Sequence, residues 1–254
     1  MNLFTAIRLI GLSSAIQYAF SQPPCKIVQS LEDNQFDFDM YISRKWYSHQ
    51  QIPTPFNPLE NFYCITAEYS SLDPSNPIDS QRLANGYKVK VFNTGTNVEG
   101  ILFTSDDPFR ADGKPTPDPL CAGSLADGKI SEITVNNCPF PAASRPSNYW
   151  VVAYDEDEGM ALIAGGQTNV TTDNGLCKYA NPFTGVWIFS RSPERNETMI
   201  QKYRNIAMDD NGIDLSLMVD VSHHKNCIYE KKSKKSKKKS KKRNKKRNKK
   251  LPKT

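Results

Sequence analysis

The residues able to do chemistry are few and poorly placed for catalysis. Only three histidines occur, His49, His223 and His224, and none has a carboxylate or nucleophile at a motif spacing. His223 and His224 stand close to Cys227 and read as a solvated feature of the C-terminal stretch rather than as metal ligands. The run from Asp155 to Gly159 looks like a calcium loop. Its glycine arrives one position early and no bidentate Glu follows at the required distance, so it reads as an acidic hairpin turn. There is no phosphate-binding glycine loop and no G-x-S-x-G. Catalysis has no visible apparatus, and neither a metal nor a cofactor is expected.

The remaining reactive side chains are cysteines, and they point to a compartment. Cys25, Cys64, Cys121, Cys138, Cys177 and Cys227 are widely and irregularly spaced without a C-x-x-C, which argues against a zinc site. An even count reads as three disulfides, with about fifteen pairings open from the sequence alone. The start agrees with an oxidising destination. Arg8 precedes an apolar stretch from Leu9 to Phe20, followed by small residues around Ser21, the pattern of a secretory signal over 1–21. That stretch is interrupted by Gln17 and falls short of the roughly 20 residues a membrane span needs. Sequons at Asn169 (N-V-T) and Asn196 (N-E-T) fit a secreted, extracellular chain.

Charge divides the chain. Of its 33 Lys and Arg, 16 lie beyond Glu230, where no acid occurs, so residues 1–230 hold 17 basic against 27 acidic side chains. A Lys/Ser run with no apolar residue before Leu251 cannot fold, so 231–254 is expected to be a disordered tail beside a domain over 22–230. Outside the cell, the partners such a tail would meet are polyanionic polysaccharide, an anionic membrane surface or a mineral such as silica, with no specific nucleic acid.

The domain is written in strands: short alternating apolar runs broken by Gly, Pro, Asn and Asp. They fall at 45–50, 62–70, 87–92, 98–103, 130–135, 149–154, 160–164 and 186–191. Eight strands in sequential order with short links predict an all-β, antiparallel up-and-down barrel. The segment 197–208 instead places Met199, Ile200, Tyr203, Ile206 and Ala207 at helical spacing, opened by Ser192-Pro193 and stopped at Asn211-Gly212. One C-terminal helix packed outside the barrel is expected. The loop 104–129 is too polar to be buried.

Alternation assigns faces. In "FYCITAEYS" Tyr63, Ile65, Ala67 and Tyr69 share the apolar face, with Cys64 outward; in "YKVKV" Tyr87, Val89 and Val91 oppose two lysines. An eight-stranded barrel either fills with its own side chains or holds one small ligand, and periodicity leaves both open.

The stretches "YISRKWYSHQQIPTPF", "FYCITAEYS", "GYKVKVFN", "YWVVAYDEDEGMALI", "GVWIFSRSPE" and "NGIDLSLMVDVSHHKNC", in this order over residues 24–227, resemble the lipocalin family, nearest its apolipoprotein D-like members. The resemblance implies that Trp46 plugs one end of the barrel with Arg191 packed across its indole. It implies the disulfides Cys25–Cys177, Cys64–Cys227 and Cys121–Cys138, the last clipping the long loop. It also implies a small hydrophobic ligand such as a fatty acid, sterol or pigment, held by Tyr69 and Trp187 together with Tyr63, Ala67 and Val89. Two departures stand out: Arg44 replaces the family's glycine two residues before the tryptophan, and Tyr154-Asp155-Glu156 replaces its Thr-Asp-Tyr. The alternative is a lipocalin-fold enzyme acting on a lipid or carotenoid, which would need an inward acid or base.

Overall fold

The computed structural model describes residues 24–104, 119–124, 128–144 and 146–229. The expected signal segment and Lys-rich tail lie outside these residues. The strands are β1 (Trp46–Gln51), β2 (Tyr63–Ser71), β3 (Val89–Thr96), β4 (Leu102–Thr104), β5 (Leu120–Ser124), β6 (Glu132–Asn137), β7 (Tyr149–Asp155), β8 (Met160–Ala164), β9 (Val170–Thr171), β10 (Cys177–Lys178), β11 (Val186–Ser190) and β12 (Val219–Asp220). Helices are α1 (Phe38–Ile42), α2 (Pro77–Ala84) and α3 (Glu197–Asn205), the last continued by a π-helical turn over Ile206–Asp210.

Antiparallel pairing runs β1-β2-β3-β5-β6-β7-β8-β11, and β11 returns to β1 with Tyr47 opposite Ser190 and Gln51 opposite Trp187. The sheet therefore closes, and among the described residues β4 is paired on one side only, by β3. β4 and β5 both pair with β3, Leu102 against Thr96 and Ala122 against Val89. Together they occupy one wall position, which makes the barrel eight-stranded. β12 extends β1 outside the closure, and β9 and β10 form a separate hairpin.

Three expectations are corrected. The strand placed at 98–103 is mostly a turn, because the Asn97 Oδ1 accepts from Glu99 and Ile101 N and Gly100 adopts φ 80°, leaving only β4. The loop 104–129 contains β5, where Cys121 and Ala122 are buried. Its small residues carry little periodic signal. The helix opens at Asn196, whose side chain accepts from Met199 N, rather than at Ser192-Pro193. The short helices α1 and α2 were not expected; each has an Asx cap, at Asp37 and Asn76.

Apolar residues pack in two layers. The barrel interior joins Trp46, Ala67, Val89, Val91, Ala122, Ile133, Val151, Ala161, Ile163 and Phe189. A second cluster sits outside, where Leu162, Val186 and Ile188 meet Ile200, Tyr203 and Ala207 of α3 and its extension. β8 is buried on both faces, which is why its sequence, MALIA, lacks alternation.

The disulfides are Cys25–Cys177, Cys64–Cys227 and Cys121–Cys138, the same pairs the resemblance implies. The third joins β5 to the residue after β6, so it staples wall strands rather than a free loop.

Candidate functional site

The barrel is plugged by Trp46, fully buried, whose Nε1 donates to Tyr41 O at 2.9 Å. The Arg191 guanidinium lies 3.5 Å from the indole centroid, close enough for cation–π attraction of about 1 kcal/mol. Its remaining donors are spent on protein acceptors. Nε and Nη2 donate to Glu156 Oε2, Nη2 also to Met40 and Tyr41 O, and Nη1 to Arg44 O. Arg44 forms an ion pair with the same Glu156. The two departures from the family pattern thus meet each other beneath the plug.

Above the plug, cross-strand register decides which side chains face inward, since directly opposed residues share a face. Trp187 opposes Gln51 and Ile163; Phe189 opposes Ser48 and Ala161; Ala67 opposes Asn93; Tyr69 opposes Val91; Ile133 opposes Tyr149. Along these described rows the inner wall carries aromatic, aliphatic and neutral polar groups, and no formal charge. Ser48 Oγ donates to Gln51 Oε1 at 3.0 Å, which satisfies two buried polar groups.

Near the plug three phenols meet. Tyr149 Oη lies 2.5 Å from Tyr41 Oη and 3.0 Å from Tyr69 Oη. Tyr41 comes from α1 below, Tyr69 from β2 and Tyr149 from β7. Burial pushes the pKa values of all three phenols upward, so they stay protonated. The Trp187 ring stacks on Tyr149 with centroids 6.2 Å apart. Tyr69, Tyr149 and Trp187 pack against the interior cluster and each keeps part of its surface accessible.

Of the lining residues expected, Tyr69, Trp187, Ala67 and Val89 face the interior, and Tyr63 does not. Cys64 adopts φ 56° and the pairing of β2 with β3 shifts between Tyr63 and Thr66. This bulge breaks the alternation. Tyr63 turns outward against His224, and Ile65 joins Phe62 and Val221 under the C-terminal segment. Sequence reasoning missed Tyr41, Tyr149, Ser48 and Gln51. Tyr149 shares the parity of Val151 and could have been found; Tyr41, in α1, could not.

His223 is also corrected. It is half-buried, with Nε2 donating to the Ser48 carbonyl at 2.7 Å and Nδ1 2.6 Å from Tyr229 Oη, and its ring lies 5.1 Å from that of His49. Burial lowers its pKa to about 4. His224 stays exposed near Cys64 and Cys227, but those sulfurs are bonded to each other and offer no thiolate for a metal. Asn169 and Asn196 are both exposed, and their Oδ1 atoms accept from Ala180 and Met199 N, which leaves each Nδ2 outside those bonds.

Two cavities open at the surface. One of about 370 Å³ reaches the interior residue Val89 and is lined also by Phe36, Phe38 and Ile130, with Asp37, Asp39 and Lys88 at its edge. Another of about 320 Å³ lies at the rim between the loop after β1 and the loop before β11.

No family model matches the chain, and no curated protein does. Among solved structures the chain is similar to apocrustacyanin C2, at 16% identity over 81% of this chain and 93% of that one, TM-score 0.49. It is similar also to lobster apocrustacyanin A1, at 15% over 81% and 93%, TM-score 0.49. Insecticyanin from the tobacco hornworm Manduca sexta matches at 17% over 81% and 89%, TM-score 0.48. These superpositions are loose. The closed barrel rests on the strand pairings given above.

Proposed function

We propose that this chain is a divergent, apolipoprotein D-like lipocalin, a secreted carrier that holds a small hydrophobic ligand inside its barrel. The observation that carries the reading is the placement of Tyr69, Tyr149 and Trp187, deep inside an uncharged wall above a sealed plug yet still partly accessible. Burying an apolar ligand there would be favoured at about 25 cal/mol per Å² before ordering costs. Export under a signal segment and glycosylation at Asn169 and Asn196 belong to the same proposal, supported by the three disulfides. The Lys-rich tail is proposed to hold the carrier at a polyanionic polysaccharide, anionic membrane or mineral surface. An enzymatic role finds no inward carboxylate, histidine or lysine along the described wall rows.

Titration of tryptophan fluorescence with apolar ligands tests the reading, alongside mass spectrometry of ligand retained by the secreted protein. Saturable quenching is expected, and Trp187→Ala should weaken it by about tenfold through lost contact area. A chain that quenches with no ligand and retains none has a filled core and is not a carrier.

A further inference from the structure

The phenol cluster says what kind of ligand the barrel would take. Three hydroxyls bring three protons; the two bonds at Tyr149 use two, and Tyr41 and Tyr69 also lie within reach of each other. Tyr41 is fully buried and its hydroxyl meets Tyr149. If Tyr41 donates to Tyr149 and Tyr149 to Tyr69, the last proton falls to Tyr69, which opposes Val91 on the inner wall and keeps accessible surface. The chain of hydroxyls then runs from the sealed floor to the lumen, each donor polarised by the one behind it. Beside the phenols a carboxylate would find no cation: Arg191 is committed to Glu156 and three backbone carbonyls, the described wall rows are neutral, and the exposed Lys88 ammonium packs over Phe38 at the edge of the neighbouring cavity.

We propose that Tyr41, Tyr149 and Tyr69 form the polar anchor of the ligand site, and that the ligand is an apolar molecule ending in an uncharged oxygen, an alcohol or ketone, in preference to an acid. This rests on the carrier reading. An oxygen at the tip of the ligand accepts from Tyr69, while a carboxylate loses its hydration without a compensating charge. The raised pKa values agree, because all three phenols remain neutral donors.

The test uses the whole secreted protein at neutral pH and two skeletons, each with its oxygen varied: retinol, retinal and retinoic acid, then hexadecane, hexadecanol and palmitate. The alcohol and aldehyde are expected to bind at least about tenfold more tightly than the matching acid. Tyr69→Phe, which removes one oxygen and keeps the ring, should weaken the alcohols about fivefold and leave hexadecane unchanged. Tyr149→Phe should do the same by breaking the relay, so either variant serves if the other folds poorly. Equal or tighter binding of the acids, or a preference for alcohols that survives both substitutions, overturns the anchor while the carrier stands. Failure of all six ligands to bind overturns the carrier reading, and this proposal with it.

Discussion

Arg44 and Glu156 depart from the lipocalin pattern that the sequence resembles at separate points, yet in space they answer one another. Glu156 neutralises Arg191, whose side chain is 7% exposed, and Arg44 binds its other oxygen from a position 58% exposed. Glu156→Ala would strand a guanidinium over the plug and is expected to cost about 2 kcal/mol, seen as a lower melting temperature. Arg44→Ala should cost less than about 1 kcal/mol, since its pair is largely solvated; the reverse order would mean that Arg44 holds the plug. His223 gives a pH signature. Its pKa falls from 6.5 to about 4 on folding, so between those values the unfolded chain takes up a proton that the folded chain refuses. Stability must therefore fall as pH drops through that window, by up to about 3 kcal/mol. His223→Gln should flatten the difference between melts at pH 7 and pH 4 relative to the parent; an unchanged slope would assign the acid sensitivity to other groups. At this scale Trp46 and Arg191 were legible through the resemblance of their stretches to the lipocalin pattern. The meeting of Tyr41 with Tyr149 spans 108 residues and needed the folded chain.

The C-terminal segment is fixed to β2 by a parallel bridge between Tyr63 and Ser222, by Cys64 N donating to Ser222 O at 2.8 Å, and by the Cys64–Cys227 disulfide. Cys64 sits at φ 56°, where a side chain costs about 1 kcal/mol. Replacing both cysteines by Ala is expected to lose about 2–4 kcal/mol and to speed amide exchange over residues 222–229 before the barrel responds. Placing Gly at position 64, with Ala at 227, should recover about 1 kcal/mol of that loss, because glycine adopts this conformation freely. A Gly variant no more stable than the Ala variant would show that the bulge is set by the disulfide and relaxes without it. Elements with strong periodicity, β2, β7 and α3, were readable in advance to within a few residues. β5 was not, since Leu-Cys-Ala-Gly-Ser is short and nearly featureless; only its place beside β3 and β6 makes it a strand. The bulge was likewise invisible, and it alone sent Tyr63 to the wrong face.

For the molecule as a whole, an acidic barrel domain is followed by sixteen bases. Deleting 231–254 should abolish retention on heparin or silica and leave ligand affinity unchanged; in the parent, retention should fall steeply with salt, as released counterions require. Equal retention without the tail would place the polyanion site on the barrel, and loss of ligand binding would make the tail part of the ligand site. The last described residue, Tyr229, packs on Tyr47 with ring centroids 4.9 Å apart and lies under the Lys45 ammonium. β1 runs from the plug at Trp46 towards the rim beyond Gln51, so the last described residue lies at the sealed end of the barrel. Under the proposed mooring the molecule would stand like a cup on its base, its rim turned to the medium. Its cargo would leave by diffusion into the bulk rather than by collision with the mooring surface. The rate at which a bound layer empties should then be the same for sparse and crowded layers.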